Sequence, residues 1–136
     1  MKISTKGRYG LRALSDLVDC DENACVPLRA IAERHNISED YLEQLLSSLK
    51  SSGIVTSVRG AKGGYKLSRA ADDITVGEAI RALEGALYPV ECIENDDYEC
   101  PGASCKNCNT KPVWEKLYTS VSETLDSISL SDLSKL

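Results

Sequence analysis

Between Gly10 and Val18 the apolar residues Leu11, Leu14, Leu17 and Val18 recur at three- and four-residue intervals, the period of one face of a helix. A helix is therefore predicted from about Ser4 to Asp19, broken by the polar run Asp19, Asp21, Glu22 and Asn23. Pro27 fits the first turn of a second, short helix, where its missing N–H would be unpaired anyway, and Leu28, Ile31 and Ala32 supply the buried face. Asn36 tolerates a left-handed turn. Ser38 is a good N-cap, and Glu39 and Asp40 behind it suit the positive end of a helix. That third helix carries the stripe Leu42, Leu45, Leu46 and Leu49 and ends near Gly53.

After Gly53 the period changes. Ile54-Val55-Thr56-Ser57-Val58 is rich in β-branched residues, Gly60-Ala61-Lys62-Gly63-Gly64 is a turn, and Tyr65-Lys66-Leu67-Ser68 returns, which predicts a β-hairpin. Thr75 and Glu78 have the spacing of a capping box, followed by Ala79, Ile80 and Leu83, so a helix is expected from about Val76 to Gly85. Residues 91–112 show little periodicity and read as a loop. Beyond Pro112, Trp114, Leu117, Val121, Leu125 and Ile128 fall at spacings of three or four, predicting a long amphipathic helix over 113–129. The fold class is mainly α with a small β-hairpin wing. A winged helix-turn-helix domain is expected over 1–70, followed within 71–136 by the loop 91–112, a candidate sensing loop, and a long C-terminal helix whose stripe reads as core or, as two-fold DNA readers favour, as a dimerisation helix.

Charge changes this picture. The net charge of −5 taken alone argues against nucleic acid as a partner. However, residues 1–70 hold 11 Lys/Arg against 8 Asp/Glu, and residues 71–136 hold 5 against 13. The basic groups are also clustered. Lys2, Lys6, Arg8 and Arg12 precede any acid, and Arg59, Lys62, Lys66 and Arg69 form a second acid-free stretch. A basic, glycine-tipped hairpin directly after the second helix of a helix-turn-helix is the arrangement of a DNA-reading wing. The exposed candidates for contact are Ser38, Tyr41, Glu43 and Gln44 on the third helix, Arg59 and Lys62 on the wing, and Arg8 on the first helix. Gln44 can donate to and accept from adenine, and Arg59 suits a narrow minor groove. Lys62 suits a phosphate. Glu43 can accept from cytosine N4 and repels phosphates, so it reads as a specificity element.

Six cysteines and one histidine limit the remaining chemistry. The N-terminal residues lack the apolar run of a secretory leader, and no stretch approaches the ~20 apolar residues needed to span a bilayer. A cytoplasmic protein with reduced thiols and no membrane association is the expectation. Cys92, Cys100, Cys105 and Cys108 are separated by seven, four and two residues. Four thiolates so close in sequence can surround tetrahedral zinc or an iron-sulfur cluster, or act as a thiol switch without metal. Cys20 and Cys25 read as small, partly buried residues, and His35 as a surface residue at a helix end. No nucleophile-and-base pattern surrounds His35, so an enzyme is not expected.

The motifs Ser4-Thr5-Lys6-Gly7-Arg8-Tyr9, Val26-Pro27-Leu28, Ile37-Ser38 with Tyr41-Leu42-Glu43-Gln44-Leu45, Ser57-Val58-Arg59-Gly60 with Gly63-Gly64-Tyr65, and Thr75-Val76-Gly77-Glu78-Ala79-Ile80 span nearly the whole chain. On them it resembles the small winged-helix regulators that include the iron-sulfur cluster regulator IscR, the nitric-oxide sensor NsrR and the cysteine-metabolism repressor CymR. The resemblance implies a homodimer, joined along the C-terminal helix, that binds double-stranded DNA at a palindromic operator. In cluster-binding members three loop cysteines hold iron, and these match Cys92, Cys100 and Cys105. IscR-like members place a histidine where this chain has Cys108, which implies an all-cysteine site for an iron-sulfur cluster of the 2Fe-2S kind. NsrR-like members use an acid where Arg8 stands here. CymR-like members lack the cysteine triad and act with a cysteine-biosynthetic enzyme, which leaves a cluster-free regulator of sulfur metabolism as the alternative.

Overall fold

The computed structural model describes residues 1–21, 23–101 and 107–135. Helix α1 (Thr5–Val18) starts where the Ser4 hydroxyl accepts from the Lys6 amide. Helix α2 (Leu28–His35) ends on Asn36, whose φ of 52° is left-handed, as the sequence predicts. Pro27 stands just before the helix, as its N-cap, instead of in the first turn. Helix α3 (Glu39–Ser51) is capped by Ser38, whose hydroxyl accepts from the Tyr41 amide at 3.1 Å. Its buried residues are Leu42, Leu45, Leu46 and Leu49, the stripe expected from the spacing.

Strands β1 (Val55–Val58) and β2 (Gly64–Leu67) form an antiparallel hairpin, with Val55 opposite Leu67 and Val58 opposite Gly64. The hairpin is anchored to the chain before α2. Val26 and Tyr65 exchange both backbone hydrogen bonds, at 2.8 and 2.9 Å. This contact requires Gly64, because a Cβ there would run into the Val26 carbonyl.

Helix α4 (Val76–Glu84) carries the predicted capping box: the Glu78 amide donates to the Thr75 hydroxyl at 3.0 Å, and the Thr75 amide donates to the Glu78 carboxylate at 2.9 Å. The 91–112 segment is not wholly irregular. A one-turn helix, α5 (Glu91–Glu94), buries Cys92, and helix α6 (Lys111–Asp126) begins two residues earlier than the spacing indicated. It stops at Asp126, short of Ile128, where a capping box at Ser129 starts the 3-10 turn Leu130–Ser134.

One core runs across the charge boundary at residue 70. Leu14, Ile31, Leu42, Leu46 and Leu49 pack with Ile74, Ala79, Ile80 and Leu130, all within a few per cent of complete burial. Burial of a large aliphatic side chain stabilises by about 1.5–3 kcal/mol, so α4 and the C-terminal turn are integral to the fold of the N-terminal half. The backbone stitches them in place: Val76 donates to the Ile128 carbonyl at 2.8 Å, and Leu130 to that of Ile74 at 2.8 Å.

Candidate nucleic-acid interface and cysteine segment

The candidate recognition surface is built on α3. Asp40, Glu43, Gln44 and Ser47 border one shallow outer face of this helix. The side chains of Glu43 and Gln44 are exposed and have no hydrogen-bond or ion-pair partner among the described residues. They are free to meet base edges in a groove. Ser38 is also exposed; its oxygen serves the cap, and its hydroxyl hydrogen remains available to donate to a phosphate.

Tyr41 differs from the expectation of an exposed contact residue. It is half-buried, shares a 3.1 Å hydroxyl hydrogen bond with Thr5, and packs edge-on against Tyr9, the ring centroids lying 6.3 Å apart. Its ring is therefore a brace between α1 and α3. The brace extends to Arg12, whose guanidinium lies 5.3 Å from the centroid of the Tyr9 ring. Sequence reasoning does not find Thr5, Tyr9 and Arg12 as a unit. Their sequence signals are the motif Ser4–Tyr9, which contains Thr5 and Tyr9, and the basic cluster ahead of the first acid, which contains Arg12.

At the wing tip Arg59 and Lys62 are exposed, on the turn between β1 and β2. The Gly63 amide closes this turn on the Gly60 carbonyl at 2.9 Å. Cys25 is half-buried, as expected, but it also fastens the wing. Its thiol donates to the Lys62 carbonyl at 3.0 Å and holds the tip against the α1–α2 connection. Arg8 is exposed on the first turns of α1. That end of the helix is fixed by Glu84 of α4, whose Oε1 accepts from the Ser4 amide at 2.8 Å, the Ser4 hydroxyl at 2.6 Å and the Gly7 amide at 2.9 Å. Partial burial opposes the charge of Glu84, yet these three donors hold its carboxyl below the ordinary value.

His35 departs from the surface position expected of it. It stands at a helix end, as predicted, but is only 16% exposed, and its Nε2 lies 3.0 Å from Asp16 Oδ2. Asp16 also takes Arg34 at 3.0 Å and is buried on α1. The pair joins the C-terminal end of α2 to α1. A single acid among Ala13, Leu14 and Leu17 is the available sign.

In the cysteine segment, Cys92 is buried on α5 and Cys100 and Cys108 are half-buried, while Cys105 lies outside the described residues. Cys108 stands just before α6, its Sγ 3.1 Å from the Thr110 hydroxyl. Hydrogen bonds from Thr110, then from the Lys111 amide, and the Lys111 charge push this thiol below its ordinary value, toward the thiolate that binds metal. Lys111 bonds Asp96 at 3.4 Å; burial opposes its charge, but the Asp96 carboxylate raises its pKa. Among the described residues no three His, Cys, Asp or Glu side chains gather into a metal-binding group. The donor set, soft thiols with a lysine nearby to offset thiolate charge, is of the kind that can hold zinc or an iron-sulfur cluster.

Helix α6 buries none of its residues within the chain. Val113 is 57% exposed and Leu117 37%, and Trp114, Val121 and Leu125 are half-buried. The helix is held to α4 by Arg81–Asp126 at 2.5 Å, and a Tyr88–Tyr118 stack at 4.9 Å ties it to the segment after α4. No helix among the described residues is long and apolar enough to cross a membrane.

Three helices followed by a hairpin, with an open polar face on the third helix and a basic hairpin tip, define a winged-helix DNA-binding protein. Residues 3–136 match the family model Rrf2, described as an iron-dependent transcriptional regulator. The chain belongs to the Rrf2 family and is a DNA-binding transcriptional regulator. It is 44% identical over 133 residues to the HTH-type transcriptional regulator CymR of Bacillus subtilis, covering 98% of this chain and 89% of that one. It is 40% identical over 135 residues to the HTH-type transcriptional regulator IscR of Vibrio atlanticus, covering 99% and 76%. Among solved structures, CymR of B. subtilis, the global cysteine regulator, superposes with a TM-score of 0.80 at 42% identity over 99% of this chain and 97% of that one. IscR of T. potens superposes with a TM-score of 0.77 at 45% identity over 99% and 87%. These relatives are regulators and not enzymes.

Proposed function

We propose that this regulator is a homodimer that reads a palindromic operator in double-stranded DNA and holds a 2Fe-2S cluster on its cysteine segment, whose presence modulates DNA binding. Glu43 and Gln44 read base edges in the major groove, Arg59 enters the minor groove, and Arg8, Ser38 and Lys62 contact phosphate. Tyr41 positions the recognition helix. The exposed apolar side of α6, with Val113 and Leu117, pairs with a second copy, so that two recognition helices face two half-sites.

What supports the cluster reading is the density of thiols between two helices: Cys92 buried on α5 and Cys108 beside the Thr110 hydroxyl just before α6, with Cys100 and Cys105 between them in sequence. Cys92, Cys100, Cys105 and Cys108 are the proposed ligands. A bound cluster supplies a one-electron, oxidant-sensitive centre. The chain's own part is to join α5 to the start of α6, and through the Tyr88–Tyr118 stack and the Arg81–Asp126 pair to α4 and the core. Ordering or release of the cysteine segment thereby shifts α6 relative to the reading head, a coupling of about 1–3 kcal/mol. Anaerobic purification with iron and sulfide analysis tests this. Stoichiometric iron and sulfide with visible absorbance, lost in a Cys92→Ser, Cys100→Ser, Cys105→Ser variant, is the expected result. Colourless, iron-free protein contradicts it.

A second reading, which the likeness to CymR supports as the likeness to IscR supports the first, is a cluster-free repressor of cysteine metabolism, controlled by a cysteine-biosynthetic enzyme or by thiol oxidation. Operator binding that depends on such an enzyme and survives chelation supports that reading. Either way the regulator acts in the cytoplasm, where its DNA is.

A further inference from the structure

A cavity of about 660 Å³ lies behind the wing, away from the cysteine segment. Its apolar wall comes from Leu17 and Val18 at the end of α1, Leu67 on β2, and Ala71. Four of the lining side chains are charged, and two of them are already committed. Arg69 pairs with Glu78 at 2.9 Å and donates to the Asp73 carbonyl, and Asp72 accepts from the Ser131 hydroxyl. The other two are Lys66 on β2 and Asp21 after α1. Both line this cavity, yet neither side chain has an ion-pair or hydrogen-bond partner among the described residues, and they do not pair with each other.

One unpaired cation and one unpaired anion over an apolar wall match a particular ligand chemistry. A simple anion would satisfy Lys66 and leave Asp21 unmatched; a simple amine would do the reverse. A molecule carrying a carboxylate and an ammonium satisfies both, and a short apolar side chain would cover Leu17, Val18, Leu67 and Ala71. The volume is in the range of small-molecule sites, with room for such a ligand and ordered water. We propose that this cavity binds a small zwitterionic α-amino acid, with Lys66 receiving the carboxylate and Asp21 the ammonium. The site is independent of the cluster reading. It adjoins β2, the strand that returns from the wing tip, so a ligand that favours one wing position changes operator affinity and is itself bound differently on DNA.

Isothermal titration calorimetry on the full chain provides the test, with L-alanine and L-valine as zwitterions, propionate as the carboxylate alone and propylamine as the amine alone. Saturable one-site binding of at least one zwitterion is expected, with both single-charge probes about tenfold weaker or more, as loss of a charged hydrogen bond implies. Lys66→Gln and Asp21→Asn should each weaken the zwitterion similarly, and Ala71→Leu should block it by filling the wall. Thermal unfolding of the three variants verifies that they fold; a variant that does not is replaced by Lys66→Met or Asp21→Ser. Absence of saturable heat with either zwitterion overturns the proposal. So does propionate or propylamine binding as tightly as the amino acid, or zwitterion binding that the substitutions leave unchanged.

Discussion

Glu43 and Gln44 are neighbours on one helix face, and in the proposed reading they ask different things of DNA. The amide of Gln44 can pair with adenine, so Gln44→Ala should lose about 1–3 kcal/mol at one base position and relax the preference there. Lys62 carries charge alone, so Lys62→Ala should weaken binding evenly across sequences and reduce the slope of log affinity against log salt by about 1. Anisotropy titrations of operator variants at several salt concentrations separate the two, and equal losses at every base for Gln44→Ala would remove it from base reading. Glu84 makes a prediction about stability. Its carboxyl is held below the ordinary value when folded, so its contribution is present above the unfolded pKa of about 4.3 and is lost as pH falls below that. Glu84→Gln should cost about 1–2 kcal/mol at pH 7 and flatten the fall in stability between neutral pH and pH 3. Urea melts across that range give the measurement. The residues legible in the sequence are those with local signals. The others depend on distant pairing: Asp16 with His35 lies 19 positions apart, Thr5 with Tyr41 36, and Glu84 with Ser4 80. No periodicity encodes such contacts.

Among the helices and strands, caps and stripes are the parts most directly written in the chain. Ser38 and Thr75 mark helix starts because an N-cap oxygen satisfies an amide only a few residues away. The hairpin is legible from β-branched residues flanking a glycine turn. Less legible are α5, one turn long, and the first residues of α6, because Pro112 looks like a breaker yet is tolerated in a first turn. Helix α6 also makes the prediction that belongs here. Its apolar side is written in the sequence, but what covers it is not, since a stripe of this kind serves equally as core or as interface. Leu117→Asp should shift the chain toward monomer in sedimentation velocity and weaken operator binding, while the far-ultraviolet circular dichroism of the fold is kept. A dimer unaffected by that charge would move the interface elsewhere.

Over the full chain, the net charge of −5 conceals an uneven distribution. The basic groups sit on α1 and the wing, and the acids gather around the cysteine segment, so the average says little about nucleic acid. Charge divides near residue 70, but the core does not: Leu130 and Ile80 are packed with Leu14 and Leu46. A shift in α6 therefore cannot leave the reading head untouched, because α4 lies between them and is bonded to both. In the proposed cluster control, this continuity is the route by which the cysteine segment reaches the recognition face. Control of this kind is read by operator affinity on one anaerobically purified sample, before and after the cluster is removed, with absorbance and iron content followed alongside. Affinity or operator preference should change by roughly fivefold or more as iron is lost, and the Cys92→Ser, Cys100→Ser, Cys105→Ser variant should match the iron-free protein. Identical operator binding with and without the cluster would contradict cluster control of the reading head.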